Sequence, residues 1–450
     1  MKSNNTNTRF FFLTFSLCLL IILVSFLVPR YSWRSLVNNT SNLFATVFSS
    51  IANTSFPTTN NTVYSVLADN SGGVYIGGTF TTVGGIAYSH LAHILSTGVV
   101  DSNFNPPAID GDVYDIALSD DGSILYFGGA FTDVGGLARL RIAALNTSDG
   151  SLATFDPEVT SGFYVWDLEL STTTDILYLG GAFSAVGGET RNNIAAVNTS
   201  DGSLVSDFNP NVDDEVDTIA LSASSTLYIG GSFLTVDGVA RNRIAEVLTS
   251  TGSTTSFNPD ISGVVQDILL STSTMYVTGG FSTVGVTTRN RFAEITFNTG
   301  LVTDFDPDAF GGGSGHELAL SGDTLYAVGA FTAVGGITRN RIVGINTLDG
   351  TVVSAFNPNV TGGSANDLAI SSDGNKLYFG GAFTTVGGVS RNKFAALTPV
   401  AASPTTRRRS RITTPSVPVI PAYTLTYLAG PNGSISGTSV QIVEEANNGT

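Results

Sequence analysis

Seven positions in this sequence, spaced about fifty residues apart, carry side chains that can stack against a ligand or hydrogen-bond to it. The residues at this variable position are Tyr64, Tyr114, Trp166, Asp217, Gln266, His316 and Asn366. The positions around them hardly change between repeats, so a shared scaffold duty does not explain the variation. Three aromatic rings followed by four polar groups suit a sugar or an extended peptide, because flat rings cover apolar faces and polar groups fix orientation. The alternative is that the position is solvated and unconstrained.

Two further sets of residues recur with the same spacing. The acids directly follow the variable position and are Asp115, Asp167, Asp267, Glu317 and Asp367. The arginines stand near the middle of the repeat and are Arg139, Arg191, Arg241, Arg289, Arg339 and Arg391. A planar guanidinium suits a bidentate carboxylate, which predicts a structural ring of arginine–acid pairs, and the first repeat, with Ser65 and Tyr88, lacks both charges. The alternative is an arginine ring that binds an anionic ligand.

Few side chains in this sequence have the arrangement that catalysis requires. Three histidines occur, and no two-histidine-plus-acid constellation, nucleophile elbow or phosphate-binding loop is evident. The densest acidic cluster, Asp213-Asp214-Glu215 with Asp217, would suit a carboxylate-pair glycosidase or a calcium site, but a solvated loop is the simpler explanation. We therefore predict no catalytic residue, no metal and no cofactor, and a module that binds a carbohydrate or protein ligand. The alternative is a secreted carbohydrate-active enzyme that uses carboxylates at the mouth of the fold.

The phrase that positions these residues occurs seven times in forms close to GGAFTTVGG. Its phenylalanines lie 48 to 52 residues apart and are Phe80, Phe131, Phe183, Phe233, Phe281, Phe331 and Phe383. The second repeat holds four apolar runs, VYDIALS, ILYFGGAF, RIAALNT and SLATFDP, with turns at Asp121-Gly122 and Asp149-Gly150. The paired glycines Gly128-Gly129 predict a bulge or a close approach of two backbones. The sequence thus predicts an all-β fold, a seven-bladed β-propeller of four-stranded blades over residues 44–400.

The closure of this ring is predicted from a gap in the last repeat. The seventh repeat lacks the fourth run and passes directly into PVAASPTTRRRS. Before the first repeat, the segment SSIANTSFPTTNNTV resembles a detached fourth run, with Phe56-Pro57 in place of Phe-Asn-Pro. We expect this N-terminal segment to pair with the strand that ends at Leu397, because such pairing removes exposed sheet edges.

Composition narrows the classes of partner. The formal net charge of −16 argues against nucleic acid, whose backbone normally requires a basic face. Charged residues make up only 12% of the chain and apolar residues 42%, which is typical of a folded all-β domain. We expect a monomeric propeller.

The N-terminus predicts export. Residues 10–28, FFFLTFSLCLLIILVSFLV, carry no charge and are long enough to span a bilayer as a helix. Residues 1–9 then form a cytoplasmic n-region and residues 29–43 a linker. A transmembrane signal anchor is the favoured interpretation, which places the propeller at the cell surface with the membrane as a partner. A cleaved signal peptide, and therefore a secreted protein, is the alternative.

The repeats resemble the bacterial delta-60 β-propeller repeat family, whose members carry LYxGGxFTxVGGxxRNxIAxLNxxDGxxxxxFNP. Tyr126 to Pro157 and Leu377 to Leu397 are the closest matches, and the similarity covers roughly residues 44 to 400. The resemblance implies a secreted or surface-attached propeller and supplies no catalytic residues.

Two segments follow the repeats. Residues 401–421, rich in Pro, Thr, Ser and Arg, predict an extended linker. Residues 422–450 resemble the opening part of the divergent internalin-type B-repeat of large bacterial surface proteins. This second resemblance implies that the chain is a fragment of a longer adhesin-like protein.

Overall fold

A computed structural model describes residues 47–400, except 172, 224 and 298. Within this part of the chain every regular element is a β-strand, and every strand pairing is antiparallel. None of the described residues forms a helix long and apolar enough to cross a membrane. The apolar helix predicted for residues 10–28 and the C-terminal segments predicted for 401–421 and 422–450 lie outside the described residues.

The strands form seven consecutive units that follow the sequence repeats. By unit, they are β1 (Val63–Ala68), β2 (Val74–Gly78), β3 (Thr82–Val83), β4 (Ile86–Ala87) and β5 (Leu91–Ile94); β6 (Val113–Leu118), β7 (Ile124–Gly129), β8 (Asp133–Val134), β9 (Leu137–Ala138) and β10 (Ile142–Asn146); β11 (Ser161–Leu170), β12 (Ile176–Val186), β13 (Glu189–Thr190) and β14 (Ile194–Asn198); β15 (Val216–Leu221), β16 (Thr226–Gly231), β17 (Thr235–Val236), β18 (Val239–Ala240) and β19 (Ile244–Leu248); β20 (Val265–Leu270), β21 (Thr274–Gly279), β22 (Thr283–Val284), β23 (Thr287–Thr288) and β24 (Phe292–Thr296); β25 (Ala309–Ser321), β26 (Thr324–Val334), β27 (Ile337–Thr338) and β28 (Ile342–Asn346); and β29 (Ala365–Ile370), β30 (Leu377–Gly381), β31 (Thr385–Val386), β32 (Val389–Ser390) and β33 (Phe394–Leu397). The order of strands is the same in every unit, except that in the third and sixth units the second strand runs on into the short hairpin as one strand, β12 or β26.

Each unit is built on three long strands, in which the second pairs with both the first and the third. The predicted fourth strand is reduced to a single bridge, such as Leu145 with Leu152 in the second unit. The fourth strand stays short because the Phe-Asp-Pro turn follows within a few residues, and its proline has no N–H to donate to a further hydrogen bond between strands. The prediction of four-stranded blades is corrected in this respect. A short hairpin, β8 with β9 in the second unit, is an element that the four-run analysis did not separate.

The apolar core lies between units. Between the second and third units, Tyr126 and Ala144 pack with Val165, Leu168 and Leu179. Seven such clusters of buried residues occur among the described residues. Each unit therefore depends on its neighbours to bury its two faces.

The paired glycines stand where units come closest, as the sequence predicted. A Cβ at Gly128 would lie 2.8 Å from Cγ1 of Val165 in the next unit. A Cβ at Gly129 would overlap the carbonyl oxygen of Asp112 on the neighbouring strand. Any larger residue at either position would force strands or units apart.

The first strands of consecutive units lie side by side, from β1 next to β6 through to β25 next to β29. The last of them, β29, also lies beside β1. Accordingly, Tyr378 and Phe394 of the seventh unit share a buried cluster with Val63, Val66 and Ile76 of the first. The first and last repeats are thus direct neighbours.

The N-terminal segment pairs with the seventh unit. Phe48 forms an antiparallel bridge with Pro399, and the amide of Ser49 donates to the carbonyl of Thr398 at 2.7 Å. The amide of Asn53 donates to the carbonyl of Ala396 at 2.8 Å. The pairing predicted from the missing run of the seventh repeat is therefore confirmed.

We expect Phe48→Ala to destabilise the folded chain by about 3–5 kcal/mol, because the ring is fully buried and packs on Tyr326 at a centroid distance of 5.3 Å. The matched control is Ile51→Ala in the same segment, since Ile51 is 60% exposed and its loss should cost less than about 0.5 kcal/mol. Thermal unfolding followed by circular dichroism measures both. Equal effects of the two changes would mean that the segment does not stabilise the seventh unit.

Candidate functional site

The first strands enclose a cavity of about 2550 Å³, which is larger than an ordinary small-molecule pocket. All seven residues of the variable position line it. The structure thus brings together the side chains that the sequence singled out, from units far apart along the chain.

A β-bulge in each first strand explains how these side chains reach the cavity. In the second unit, Val113 pairs with Gly129 and Asp115 pairs with Gly128, which leaves Tyr114 as the extra residue. The same shift in register encloses the variable position in every other unit. A bulged residue has no partner across the ladder, so its side chain is free of pairing duty and can differ in each unit.

Five aromatic side chains form a continuous row, which we call the aromatic strip. Ring centroids of Tyr64 and Tyr114 are 5.2 Å apart, those of Tyr114 and Trp166 are 4.3 Å apart, and those of Trp166 and Tyr164 are 4.8 Å apart. Phe163 lies 6.3 Å from Tyr164 and is 76% exposed. The strip therefore leads from the cavity wall towards solvent, with edge-to-face and tilted contacts that aromatic rings prefer.

The sequence analysis found three members of this strip and missed Phe163 and Tyr164. Both lie on β11, which starts four or five residues earlier relative to its bulge than most first strands do. The run SGFYVWDLEL was the available signal, because its extra apolar residues precede the variable position only in this unit.

Glu215 lies at the edge of the aromatic strip. Its Oε1 accepts hydrogen bonds from the hydroxyl of Tyr164 and from Nε1 of Trp166, the latter at 3.2 Å. Burial and the hydrogen bond to Glu215 raise the pKa of Tyr164. Within the described residues, the side-chain hydrogen bonds to Glu215 all end on Oε1.

The acidic cluster that contains Glu215 is divided by the structure. Asp213 caps a loop, where Oδ1 accepts the amides of Leu234 and Thr235, each at 2.9 Å. Glu215 and Asp217 instead line the cavity. The solvated-loop interpretation thus fits Asp213 and fails for the other two. Burial, together with Glu215 and Asp214, raises the pKa of Asp217 to about 8.

The polar side of the variable position carries structural duties as well. Nδ1 of His316 lies 3.0 Å from the carbonyl of Ala365 in the next unit, and Nδ2 of Asn366 donates to the carbonyl of Val63 at 3.1 Å. Burial lowers the pKa of His316. These two side chains therefore join neighbouring units, as Tyr164 and Trp166 also do through Glu215.

The acids that follow the bulges also join units. In four cases a carboxyl oxygen accepts the backbone amide of the next unit's first strand: Asp115 from Leu168 at 3.0 Å, Asp167 from Ile219 at 2.5 Å, Asp267 from Leu318 at 2.9 Å and Asp367 from Val66 at 2.5 Å. In the first unit, where a serine replaces the acid, the hydroxyl of Ser65 donates to Asp115 at 3.0 Å. These acids therefore have backbone partners in place of basic ones.

Burial raises the pKa of all these acids. For Asp267 the pKa rises to about 7. Those of Asp167, Glu317 and Asp367 are raised well above the usual range by burial and by the neighbouring carboxylates, and that of Asp115 is raised by burial. The hydrogen bonds from backbone amides favour the charged form but do not offset the loss of solvent.

The predicted pairing of arginines with these acids is wrong. The cavity lining described here, which includes Asp115, Asp167, Asp267, Glu317 and Asp367, contains no arginine. Five of the predicted arginines donate instead to backbone carbonyls beside the phenylalanine–proline turns: Arg191 to Ser206, Arg241 to Thr255, Arg289 to Thr303, Arg339 to Ser354 and Arg391 to Phe56. The sixth, Arg139, donates to the carbonyl of the preceding Ala138 and to Asp156 in the turn. The hairpin that precedes each arginine carries it away from the cavity, which the four-run analysis did not anticipate.

Two of these arginines have acidic partners of another kind. Arg139 lies 3.0 Å from Oδ2 of Asp156, and Arg289 lies 3.3 Å from Oδ2 of Asp306. Both acids belong to the Phe-Asp-Pro turn of the same repeat. Other repeats carry asparagine at that position, so the carbonyl bonds are the shared feature and the ion pair is an addition.

A second buried polar cluster lies in the first unit. His93 is hydrogen-bonded at 2.9 Å to Asp69 through Nε2 and at 2.9 Å to Asp101 through Nδ1, and its ring stacks on Tyr75. Hydrogen bonds from His93 and from nearby amides lower the pKa of both aspartates, against the opposing effect of burial. Both ring nitrogens are used, so the cluster acts as a structural link between two loops. The described residues include no group of three or more acids, histidines or cysteines placed to hold a metal.

No family model and no curated protein matches the chain. Among solved structures, the chain is similar to the crystal structure of the computationally designed Ika8 protein. The two are 11% identical, the TM-score is 0.49, and the match covers 79% of this chain and 100% of the designed one.

We expect the folded chain to lose stability as the pH rises from about 4 to about 8. The folded state holds protons on the raised acids that the unfolded chain releases near its ordinary carboxyl pKa, so unfolding becomes more favourable across this interval. The melting temperature should therefore fall by several degrees between pH 5 and pH 8.

Asp267→Asn should flatten this pH dependence, because the amide has no proton to release. Asp121→Asn is the control, since the pKa of that loop acid is lowered and its titration lies below the interval. A melting temperature that rises from pH 5 to pH 8 would show that the buried acids are charged in the folded state.

Arg289→Ala should destabilise the chain by about 1–3 kcal/mol, because its guanidinium donates to the carbonyls of Thr288 and Thr303 as well as to Asp306. Asp306→Asn should cost less than about 1 kcal/mol, since Asp306 is partly exposed and other repeats carry asparagine there. Urea unfolding of both variants gives the comparison. Equal losses would assign the role of the arginine to the ion pair.

Proposed function

We propose that the seven units close into a seven-bladed β-propeller. Support comes from the packing of β29 beside β1, from the bond between Asp367 and the amide of Val66, and from the N-terminal segment on the seventh sheet. In such a ring the first strands surround a central channel, and the bulges place the variable position at one mouth of it.

The proposed activity is non-catalytic binding or adhesion by an exported propeller held at the cell surface. The apolar stretch at residues 10–28 supports the tether, because its length suits a bilayer. The acidic net charge supports a carbohydrate or protein ligand over nucleic acid. A single ring whose core lies between its own units supports a monomer.

The observation that carries the binding proposal is the aromatic strip. Four of its rings line the cavity, Tyr64, Tyr114 and Trp166 as bulged residues and Tyr164 next to them. None of the five rings belongs to the apolar clusters that hold the units together. Partly exposed rings in a concave site gain free energy when a ligand with a flat apolar face covers them. A sugar or an extended peptide offers such a face together with polar groups for Glu215 and Asp217.

A second candidate, hydrolysis of a glycoside, is favoured by Glu215 and Asp217. Asp217, with its pKa of about 8, holds a proton at neutral pH, and Tyr164 and Trp166 both donate hydrogen bonds to Glu215 in the same cavity. Two carboxyl groups in one cavity, one of them protonated, are the groups that glycoside cleavage uses.

Binding can be followed through Trp166 in the detergent-solubilised full chain. The sequence has two tryptophans, so Trp33→Phe leaves Trp166 as the only one. Ligands from a glycan array should shift or quench its emission. Trp166→Ala should weaken binding at least tenfold by calorimetry while the melting temperature changes by a few degrees.

The control is Phe310→Ala, which removes a partly exposed aromatic ring that does not line the cavity. It should leave affinity unchanged.

Release of reducing sugar by the wild-type chain, lost in Asp217→Asn, would favour the hydrolase. Binding that survives Trp166→Ala would place the site elsewhere.

A further inference from the structure

The charged side chains that line the cavity are almost all acidic. Every unit contributes at least one, from Asp69 in the first to Asp367 in the seventh, and no lysine or arginine of the described residues lines the cavity. The one basic side chain, His316, is buried and its pKa is lowered. The arginines lie elsewhere because they serve the carbonyls beside the proline turns. An anionic ligand would therefore meet repulsion without compensation.

The acids that line the cavity differ in how available their carboxyl groups are to a ligand. The deeper ones, such as Asp167 and Asp267, accept amides of the next unit, and burial raises their pKa. Glu215 differs because it directly precedes β15 and lies beside the aromatic strip. The hydrogen bonds to its carboxyl group come from the side chains of Tyr164 and Trp166 and not from a backbone amide. It is the acid best placed to meet a charged group on a ligand that lies on the strip.

The shape of the strip decides between kinds of cation. Its neighbouring ring centroids are 4.3 to 6.3 Å apart, so the rings touch one another and leave no gap that could enclose a lysine side-chain ammonium. Tyr114 stacks on Trp166 at 4.3 Å with the ring planes at 35°, so a flat ligand ring can be laid against the face of Trp166 that Tyr114 does not cover. A positive charge on such a ring gains from the indole face as well as from the carboxylate.

We propose that the aromatic strip and Glu215 bind a protonated amino sugar, as part of a glucosamine-type polysaccharide, with the sugar ring against Trp166 and the ammonium group at Glu215. This inference rests on the proposed binding function of the same cavity. It adds the charge of the ligand, which the function alone leaves open.

The test compares sugar hexamers that differ in charge, two of which share one backbone. The detergent-solubilised full chain with Trp33→Phe is titrated at pH 6 with hexamers of glucosamine, of N-acetylglucosamine and, as an anionic control, of galacturonic acid. We expect the glucosamine hexamer to bind about tenfold more tightly than its acetylated counterpart and the acidic hexamer not to bind. Raising the salt concentration should weaken only the first.

Glu215→Gln should reduce the affinity for the glucosamine hexamer to that for the acetylated one. Glu189→Gln is the matched control, since Glu189 is an exposed acid on a hairpin of the neighbouring unit, outside the cavity lining. Should Glu215→Gln fail to fold, the preference of the unaltered site and its dependence on salt still decide the question.

The outcomes separate the two proposals. Equal affinity for the charged and acetylated hexamers, or a preference for the acetylated one, overturns the inference on charge and leaves the binding function standing. Binding of the glucosamine hexamer that persists in Trp166→Ala overturns the inference on the site. If none of the hexamers binds, the inference is overturned, and the glycan array then decides the binding function separately.

Discussion

The bond from a backbone amide of one unit to a carboxyl oxygen of the preceding unit is the contact on which the arrangement depends. Asp115, Asp167, Asp267 and Asp367 make it in the same way. A hydrogen bond contributes about 0.5–1.5 kcal/mol net, and burial of the polar carboxyl group offsets much of this gain. The apolar clusters between units therefore supply the stability, and the carboxyl groups fix how the first strands are aligned. This alignment brings the bulges of neighbouring first strands together, and the bulges in turn place the candidate ligand-binding side chains at the cavity.

Much of this architecture could be predicted from periodicity, because each repeat has to satisfy the same local physics. The phenylalanine of the GGAF phrase is buried between units, as Phe131 is with Tyr75 and Leu91. The missing run of the seventh repeat correctly predicted a partner for the strand that ends at Leu397. The variable position was recognised because neighbouring positions stay constant, and the bulge supplies the physical cause that the sequence alone did not reveal.

The errors share one origin, which is the path of the chain after the second strand. The sequence analysis did not separate the short hairpin there from the longer runs, and this hairpin directs each arginine towards the proline turn. As a result, Arg289 donates to the carbonyl of Thr303, while Asp267 accepts a hydrogen bond from the amide of Leu318. The opposite charges of the recurring arginines and acids suggested that they pair, but the sequence carries no information on the distance between the two sets of side chains. Glu215 was recognised only as one member of an acidic cluster for a similar reason: its contacts are with Tyr164 and Trp166, which lie about fifty residues earlier in the chain.

The position of the N-terminal segment on the last sheet has a consequence for the order of folding. Phe48 is among the first residues of the domain to be synthesised, but its partner Pro399 lies ~350 residues later, and closing a loop of that length costs about 5 kcal/mol of chain entropy. The intermediate units can dock one by one as they emerge, since each needs only its neighbour. Until the final repeat is complete, β1 and β29 cannot pack against each other, so the first and last units each keep one side exposed. The pairing of the N-terminal segment therefore waits until the last repeat has been synthesised, and a nascent chain truncated in the last repeat should leave its first and last units exposed.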